Sequence, residues 1–256
     1  MKGNLHTHTA FCDGADSAED MIKAAIDCGM DFIGFSGHAY MPFDTSWCMT
    51  PDVTEKYIAE VRRLAEKYDG KIKVYCGIEA DIFSRFDADK FDYVIGSVHF
   101  AEKNGVYYPI DESAQLLKAA ADEAWNGDVY ALAEDYYALV GRVAEVTGAD
   151  IIGHFDLITK FNEKEPLIDE SDSRYVAAAH RAADKLLKSG ALFEINTGAM
   201  SRGYRTVPYP SESLIGYIAE RGGEFVITTD SHSRDFLDYG FDTARCIAER
   251  AHARLR

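Results

Sequence analysis

Short apolar segments alternate with amphipathic helical segments along the whole chain, and this alternation restricts the fold more than any other sequence feature. Seven segments have the length and apolar character of strands, at residues 4–9, 31–38, 72–80, 93–100, 150–156, 192–198 and 224–232. Helical patterns lie between and after them, at residues 17–28, 51–68, 113–125, 129–146, 171–189, 211–221 and 242–255. Such alternation predicts a parallel sheet covered by helices.

Polar side chains stand at the C-terminal ends of the predicted strands, which is where (β/α) barrels carry their active sites. A doubly wound open sheet would also alternate strands with helices. Polar side chains at all seven strand ends converge on one point only if the sheet closes, so the sequence favours a barrel. Barrels of this length are commonly single domains, and we therefore expect residues 1–256 to form one domain.

Histidines and carboxylates dominate these strand ends. Two residues apart on a strand, His6 and His8 point to the same face and can present two imidazoles to one ion. The complete set is His6, His8, Asp13, His38, Glu79, His99, His154, Asp230 and His232. A mixed nitrogen and oxygen set suits zinc, manganese or iron. The set is too large for one ion and, with one bridging carboxylate, suits three.

Composition limits the partners of the chain. A net charge of −16 argues against long nucleic acids and anionic membranes. It does not exclude a small anionic substrate, because bound cations can reverse the local sign of a site. The five cysteines are scattered without a Cys-x-x-Cys motif, which indicates neither disulfides nor a thiolate zinc site. With no membrane-length apolar run and no signal-peptide pattern, we expect a cytoplasmic protein; oligomeric state is left open.

The segment 101–128 is longer than the other connections. Loops after barrel strands often carry specificity, so this insertion is a candidate lid over the site. Ordinary scaffold is an equally weighted alternative.

The order His-x-His, Asp, His, Glu, His, His and Asp-x-His resembles the polymerase and histidinol phosphatase (PHP) superfamily along essentially the whole chain. The resemblance implies a distorted (β/α)7 barrel that binds three divalent transition-metal ions: zinc, manganese or iron. By this resemblance the first ion is held by His6, His8, Glu79 and Asp230, the second by Glu79, His99 and His154, and the third by Asp13, His38 and His232.

Within that superfamily, the chain is most similar to stand-alone histidinol-phosphate phosphatases. The similar segments are residues 153–156 with Lys160 downstream, 194–197, 201–203, 208–211 and 229–232. The similarity implies hydrolysis of L-histidinol phosphate to L-histidinol and phosphate, a step of histidine biosynthesis. Residues 40–43 match only in outline, so the substrate is less determined than the metal chemistry.

Phosphomonoester hydrolysis fits these residues chemically. Two ions about 4 Å apart can hold and activate a bridging hydroxide that attacks phosphorus, and the predicted catalytic residues are Glu79, Asp230 and His232. A metal-bound water, His232 or Asp230 could protonate the leaving alkoxide.

Four further side chains are candidates for substrate binding. Arg202 best fits a bidentate phosphate contact, and Lys160 and Arg205 are weaker candidates. Asn196 could orient the substrate or a metal ligand, as could Glu194.

Three other functions compete with this interpretation. A PHP phosphoesterase could act on another phosphate ester or on short oligonucleotides, although the acidic charge disfavours a polyanion. An amidohydrolase-like enzyme also begins with His-x-His but leaves Asp13, His38 and His232 unexplained. A non-catalytic metal-binding scaffold would be expected to have lost ligands, and none is lost.

Overall fold

A parallel sheet that curls round on itself organises the chain. The computed structural model describes residues 1–256. Its strands are β1 (Gly3–Asn4), β2 (Phe32–Phe35), β3 (Lys73–Asp81), β4 (Tyr93–Ser97), β5 (Phe100–Lys103), β6 (Val106–Pro109), β7 (Ile151–Ile152), β8 (Leu192–Asn196), β9 (Glu224–Thr228) and β10 (Arg254–Leu255). Eight of them pair in the order β1-β2-β3-β4-β7-β8-β9-β10, every neighbouring pair being parallel. The predicted parallel sheet is thereby confirmed.

Backbone hydrogen bonds bring the first and ninth strands together at the C-terminal end of the sheet. The N–H of Ser231 donates to the carbonyl of His6 at 3.2 Å, and the N–H of His8 donates to the carbonyl of Ser231 at 2.8 Å. Thr7 and Ser231 form a parallel bridge between these segments. The chain that follows β1 is therefore fixed beside the chain that follows β9, and the polar residues of both face one centre.

Helices cover the outer face of the sheet. They are α1 (Ala18–Asp27), α2 (Pro51–Lys67), α3 (Ala114–Ala124), α4 (Val129–Val140), α5 (Val143–Thr147), α6 (Ser173–Leu186), α7 (Gly198–Ser201), α8 (Glu212–Glu220) and α9 (Phe241–Arg250). Their apolar stripes are buried, as with Met21, Ile22 and Ala25 of α1, because an amphipathic helix is stabilised chiefly by packing its apolar face. None of the helices is long and apolar enough to span a bilayer.

Two predicted helices differ from the observed ones. The predicted helix 129–146 is interrupted at Gly141, a poor helix former, so α4 and α5 are separate. The prediction of a final helix through Leu255 was wrong, because α9 ends at Arg250 and the chain turns into β10. There the side chain of Arg254 lies 2.9 Å from Glu224 of the neighbouring strand.

The inner face of the sheet is filled below the polar residues by Tyr93. Its hydroxyl lies between the carbonyls of Leu5 and Phe35, the latter at 3.1 Å, and shares its one hydrogen between them. The ring occupies space that Gly77 leaves free, since a Cβ at that position would overlap it. This packing closes the interior from below and leaves the C-terminal end as the open side of the site.

Candidate metal centre

Glu79 lies at the middle of the polar cluster, and its side chain is buried. It is on the strand β3, whose alternation places Gly77, Glu79 and Asp81 on the same inner face. Its carboxylate meets five imidazoles: Oε2 lies 3.2 Å from His6 Nε2, 3.4 Å from His8 Nε2 and 2.9 Å from His38 Nδ1, while Oε1 lies 3.0 Å from His154 Nε2 and 3.4 Å from His99 Nε2. One carboxylate on β3 thus joins imidazoles from four other segments of the barrel.

Asp230 also approaches two of these imidazoles, those of His6 and His8. Its Oδ1 lies 3.1 Å from His8 Nε2 and 3.5 Å from His6 Nε2. The backbone at Asp230 is left-handed, with φ of +47°, a conformation uncommon outside glycine. Such conformations cost free energy and persist where the surrounding structure imposes them, often at functional sites.

Asp13, His38 and His232 form the outer part of the cluster. Asp13 Oδ2 lies 3.1 Å from His232 Nε2, and Asp13 Oδ1 lies 3.6 Å from His38 Nε2. The side chains of Asp13 and His232 are about a third exposed, at 33% and 28%. The structure therefore brings all nine side chains of the predicted set together, with a buried inner part and a partly exposed outer part.

Unpaired buried atoms test whether a metal fits here. His6 Nε2, His8 Nε2 and Glu79 Oε2 are buried and have no hydrogen-bond partner, although an unsatisfied buried polar atom is costly. These atoms face one another, so a cation among them would satisfy all three. Nitrogen and carboxylate donors suit zinc, manganese or iron, and the residues fit a divalent metal.

The ligand groups overlap more than the resemblance implied. Three groups place their ligand atoms within 4.8 Å of one another: His8, Asp13, His38 and His232; His6, His8 and Glu79; and His38, Glu79 and His99. His8 and His38 each belong to two groups, because each turns one ring nitrogen towards Glu79 and the other towards Asp13.

Charge coupling within the cluster shifts the pKa values strongly. Burial alone would raise the pKa of Glu79, but the neighbouring His6 and His38 hold it well below its usual range. Burial opposes protonation of His6, yet the carboxylates of Glu194 and Glu79 raise its pKa well above the usual value. Burial, with repulsion from His232 and His38, lowers the pKa of His8 to about 3. The carboxylates therefore remain ionised and attract cations to the centre.

Side chains behind the cluster hold its members in place. Glu194 Oε1 lies 2.6 Å from His6 Nδ1, and the hydroxyl of Ser97 donates to Glu79 Oε1 at 2.6 Å. Asp81 Oδ2 lies 3.2 Å from His99 Nδ1. Sequence reasoning missed Asp81 and Ser97, although the two-residue spacing of Asp81 from Glu79 on a strand was an available signal.

A cavity of about 370 Å³ opens onto the metal-facing side chains. Its walls include the apolar Trp47, Phe100 and Pro109 and the acidic Asp111 and Glu112. Most of these residues lie in or beside the insertion 101–128, whose β5–β6 hairpin and following turn form one wall. The insertion therefore borders the site, and its action as a lid stays a prediction.

Two cationic side chains line this cavity. Arg202 Nη2 lies 2.9 Å from Asp230 Oδ2, and Nη1 donates to the carbonyl of Asp230 at 2.9 Å. A Cβ on Gly198 would approach Arg202 Nη2 to 3.0 Å, so glycine leaves room for the guanidinium. Lys160 Nζ donates to the carbonyl of Asp111 at 2.8 Å and to its carboxylate at 3.0 Å.

The structure corrects two of the predicted substrate contacts. Arg205 does not line the cavity: its guanidinium is buried, donates to Thr159 and lies over the ring of Tyr209 at 4.7 Å. Asn196 is also fully buried away from the cavity, and its amide donates to Glu194 at 3.0 Å. Asn196 is the last residue of β8 and Arg205 follows the short helix α7, but the chain directs both side chains into the protein. For Asn196 this leaves its other predicted role, orienting a metal ligand, which here would act through Glu194.

Comparison with known proteins places this geometry in a family context. The PHP domain model matches residues 4–198. A protein from Deinococcus radiodurans named "Probable histidinol-phosphatase" is 31% identical over 93% of this chain and 89% of its own length. The "Histidinol-phosphatase" of Lactococcus lactis is 27% identical over 98% of this chain and 91% of its own length.

Solved structures share the fold. The hisK protein of Listeria monocytogenes superposes with a TM-score of 0.81 at 22% identity, covering 94% of this chain and 99% of that one. Histidinol phosphate phosphatase from Lactococcus lactis, crystallised with zinc, L-histidinol and phosphate, gives a TM-score of 0.73 at 20% identity, covering 99% and 95%. At these identities the likeness establishes the architecture, and it agrees with the predicted barrel.

Proposed function

The chain belongs to the PHP domain family, and from this membership we propose that it is a metal-dependent phosphomonoesterase that hydrolyses L-histidinol phosphate to L-histidinol and phosphate. The observation that carries the proposal is the single cavity in which metal-facing imidazoles and carboxylates stand beside the guanidinium of Arg202. The names of relatives that match nearly the full length of the chain support the same substrate.

We propose that three divalent ions, zinc, manganese or iron, occupy the centre. Zinc has direct support from the relative crystallised with it. The residues that would hold the ions are His6, His8, Asp13, His38, Glu79, His99, His154, Asp230 and His232. Bound ions would supply Lewis-acid neutralisation of the phosphoryl oxygens and an activated water nucleophile.

The cationic side chains of the cavity would bind and orient the phosphate. Arg202 presents a planar guanidinium beside Asp230, and its side chain remains 30% exposed on the cavity side. A guanidinium can donate two parallel hydrogen bonds to a phosphate. Lys160 would add a second positive charge, although its ammonium is shared with Asp111.

The far wall of the cavity suits the leaving group. Histidinol carries an ammonium and an imidazole, and the wall offers the carboxylates of Asp111 and Glu112 with the indole of Trp47. Both ring nitrogens of His232 already contact protein groups: Nδ1 lies 3.0 Å from Asp230 O and 3.2 Å from Arg202 Nη1, and Nε2 lies 3.1 Å from Asp13 Oδ2. We therefore assign His232 to the metal-holding set, and the proton for the leaving alkoxide to water.

The same proposal covers the chain as a whole. Residues 1–256 would act as one domain on a small phosphate ester, without long nucleic acid or membrane as partner. We place the protein in the cytoplasm, where amino-acid biosynthesis takes place.

A substrate panel tests the proposal. Purified protein supplied with manganese or zinc is assayed on L-histidinol phosphate, p-nitrophenyl phosphate and a dinucleotide. We expect the highest kcat/KM on L-histidinol phosphate. A marked preference for the dinucleotide would instead support the oligonucleotide phosphoesterase, and activity that survives exhaustive chelation would refute the metal-dependent mechanism.

A further inference from the structure

Two buried carboxylates outside the cavity hold the far ring nitrogens of two metal-facing imidazoles. Glu194 and Asp81 are 1% and 2% exposed, and neither lines the cavity. Glu194 lies 2.6 Å from Nδ1 of His6, and Asp81 lies 3.2 Å from Nδ1 of His99. Neither carboxylate has a lysine or arginine within ion-pair distance, so its charge is directed to the imidazole.

Backbone and amide donors fix the position of Glu194. Its Oε2 accepts from the N–H of His154 at 3.0 Å and from the side-chain amide of Asn196 at 3.0 Å. Its Oε1 is left for His6. The carboxylate therefore cannot rotate away from the imidazole without breaking two further hydrogen bonds.

Asp81 is held in the same manner at the end of β3. Its Oδ1 accepts from the N–H of Phe83 at 2.9 Å, and its Oδ2 accepts from the N–H of His99 at 2.6 Å. The same Oδ2 faces the ring of His99. One oxygen thus contacts both the backbone and the side chain of that histidine.

The carboxylates determine how each imidazole faces the centre. An ionised carboxylate can only accept hydrogen bonds. The ring nitrogen that contacts it, Nδ1, must therefore carry the proton and donate it. Nε2 is then left facing Glu79, at 3.2 Å for His6 and 3.4 Å for His99. A carboxylate behind a histidine fixes the ring orientation and makes it a stronger metal ligand.

The outer part of the centre lacks such support. Nδ1 of His232 faces the backbone carbonyl of Asp230 at 3.0 Å, and Nδ1 of His38 faces Glu79 itself at 2.9 Å. Asp230 Oδ1 also lies 3.6 Å from His232 Nδ1, so the only carboxylates near either ring belong to the proposed ligand set itself. Asp13 and His232 are also the most exposed members of the set.

We infer that Asp81 and Glu194 are positioning residues that strengthen metal binding at the two inner groups, so that the ion held by Asp13, His38 and His232 dissociates first. This inference rests on the metal centre of the proposed function and not on its substrate. It gives separate roles to the two acidic residues of β3. Glu79 faces the ions, and Asp81, two residues later, faces the imidazole of His99.

Graded chelation of the zinc-loaded protein tests the order of release. The variants are Asp81→Asn and Glu194→Gln, which remove the charge with little change of shape. Asp150→Asn is the control, because Asp150 also accepts from a backbone N–H, that of Val94 at 2.9 Å, but at the N-terminal end of β4 and away from the metal centre. Elemental analysis then counts the zinc ions retained per chain at each chelator concentration.

In the unaltered protein we expect one ion to leave at a lower chelator concentration than the other two. Each variant should bind one of those two ions about 10- to 100-fold more weakly, whereas Asp150→Asn should behave as the unaltered protein does. The inference would be overturned if the unaltered protein lost all its ions at the same chelator concentration. It would also be overturned if both variants retained zinc as strongly as Asp150→Asn does.

Two further measurements separate positioning from simple structural support. Nitrogen-15 NMR of the zinc-loaded protein should show that the imidazoles of His6 and His99 are protonated at Nδ1. The imidazole signals of His99 should change in Asp81→Asn, and those of His6 should change in Glu194→Gln. Protonation at Nε2 in the unaltered protein would refute the assignment. Adding Asp81→Asn to His99→Gln should cause no further loss of zinc, because Asp81 acts through His99; additive losses would contradict this. Failure to hydrolyse histidinol phosphate would leave these zinc measurements unaffected.

Discussion

At the scale of single residues, Glu79 and Arg202 have the clearest separate roles. Glu79 is buried and meets five imidazoles, whereas Asp13 lies at the exposed edge and meets mainly His38 and His232. Arg202 contacts Asp230 through Oδ2, the oxygen that does not face His6 and His8. The contribution of each side chain can therefore be measured separately.

We expect Glu79→Ala to reduce turnover more than Asp13→Ala does. Loss of Glu79 leaves several buried imidazoles without their common carboxylate, and a buried group that loses its charged partner is strongly destabilised. The difference should be at least about tenfold in kcat, equivalent to about 1.4 kcal/mol. Steady-state kinetics with saturating metal measures it, after circular dichroism has shown that both variants fold. Equal activities would contradict the central role of Glu79.

We expect Arg202→Ala to lower kcat/KM on L-histidinol phosphate by about tenfold to a hundredfold. A hydrogen bond to a charged group typically contributes about 1.5–3 kcal/mol. The loss should fall mainly on kcat if the contact tightens in the transition state. Metal content should be unchanged, because arginine is not a ligand.

Arg245→Ala is the control for that prediction, since Arg245 pairs with Asp242 on the exposed surface of α9. It should leave both kinetic constants unaltered. If Arg202→Ala behaved in the same way, Arg202 would have no part in phosphate binding.

At the scale of elements, strand β3 organises the molecule. It pairs in parallel with β2 and β4 and carries Gly77, Glu79 and Asp81 on its inner face. Gly77 accommodates the ring of Tyr93, Glu79 joins the imidazoles and Asp81 supports His99. Packing, metal binding and ligand orientation thus follow one another along a single strand with a two-residue period.

We expect Gly77→Ala to destabilise the fold. The added methyl group would overlap the ring of Tyr93, which is buried and whose hydroxyl is held between two backbone carbonyls, so the ring cannot easily move aside. Overpacking of this kind typically costs about 1–3 kcal/mol. Urea unfolding of the protein at constant metal concentration measures the change in free energy.

Gly216→Ala provides the comparison for that measurement. Gly216 lies within α8, and a Cβ there would meet nothing within 4 Å. Alanine in a helix interior is favoured over glycine by up to about 1 kcal/mol, so this variant should be slightly stabilised. A Gly77→Ala protein as stable as the Gly216→Ala protein would show that the interior tolerates the methyl group.

At the scale of the whole molecule, an acidic chain contains a centre built to attract cations. The net charge of −16 repels an anionic substrate at long range. Arg202 and Lys160 are the only arginine and lysine in the cavity walls, and both are shared with carboxylates. The proposed ions would therefore both complete the site electrostatically and link strands from around the sheet.

We expect chelation to lower the thermal unfolding temperature and metal addition to restore it. A ligand that binds only the folded state at 100 times its Kd stabilises by about 2.7 kcal/mol. Protein purified without chelator should contain about two to three transition-metal ions per chain by elemental analysis, as the number of available ligands suggests. The change in unfolding temperature on adding metal should be much smaller in Glu79→Ala. The proposed centre would be excluded if the purified protein contained no metal and its unfolding temperature did not change on adding zinc or manganese.

The architecture and the set of polar residues at the strand ends could be predicted from the order of residues alone. Strand–helix alternation dictated the parallel sheet, because each strand and helix must bury its apolar face against the other. The C-terminal ends of parallel strands lie at the same edge of the sheet. The residues that follow them therefore come together when the sheet curls. His6, Glu79 and Asp230 could therefore be grouped although they are far apart in the chain.

The contacts of each side chain within that set became clear only from the folded chain. Asp81 supports His99, while Asn196 and Arg205 turn into the protein, and the chain after Arg250 forms a strand. The two-residue alternation along a strand predicts which face of the strand a side chain occupies, but it does not predict which atoms that side chain contacts. That depends on distances between strands that are distant in sequence, set by the curl of the sheet and by the packing beneath it.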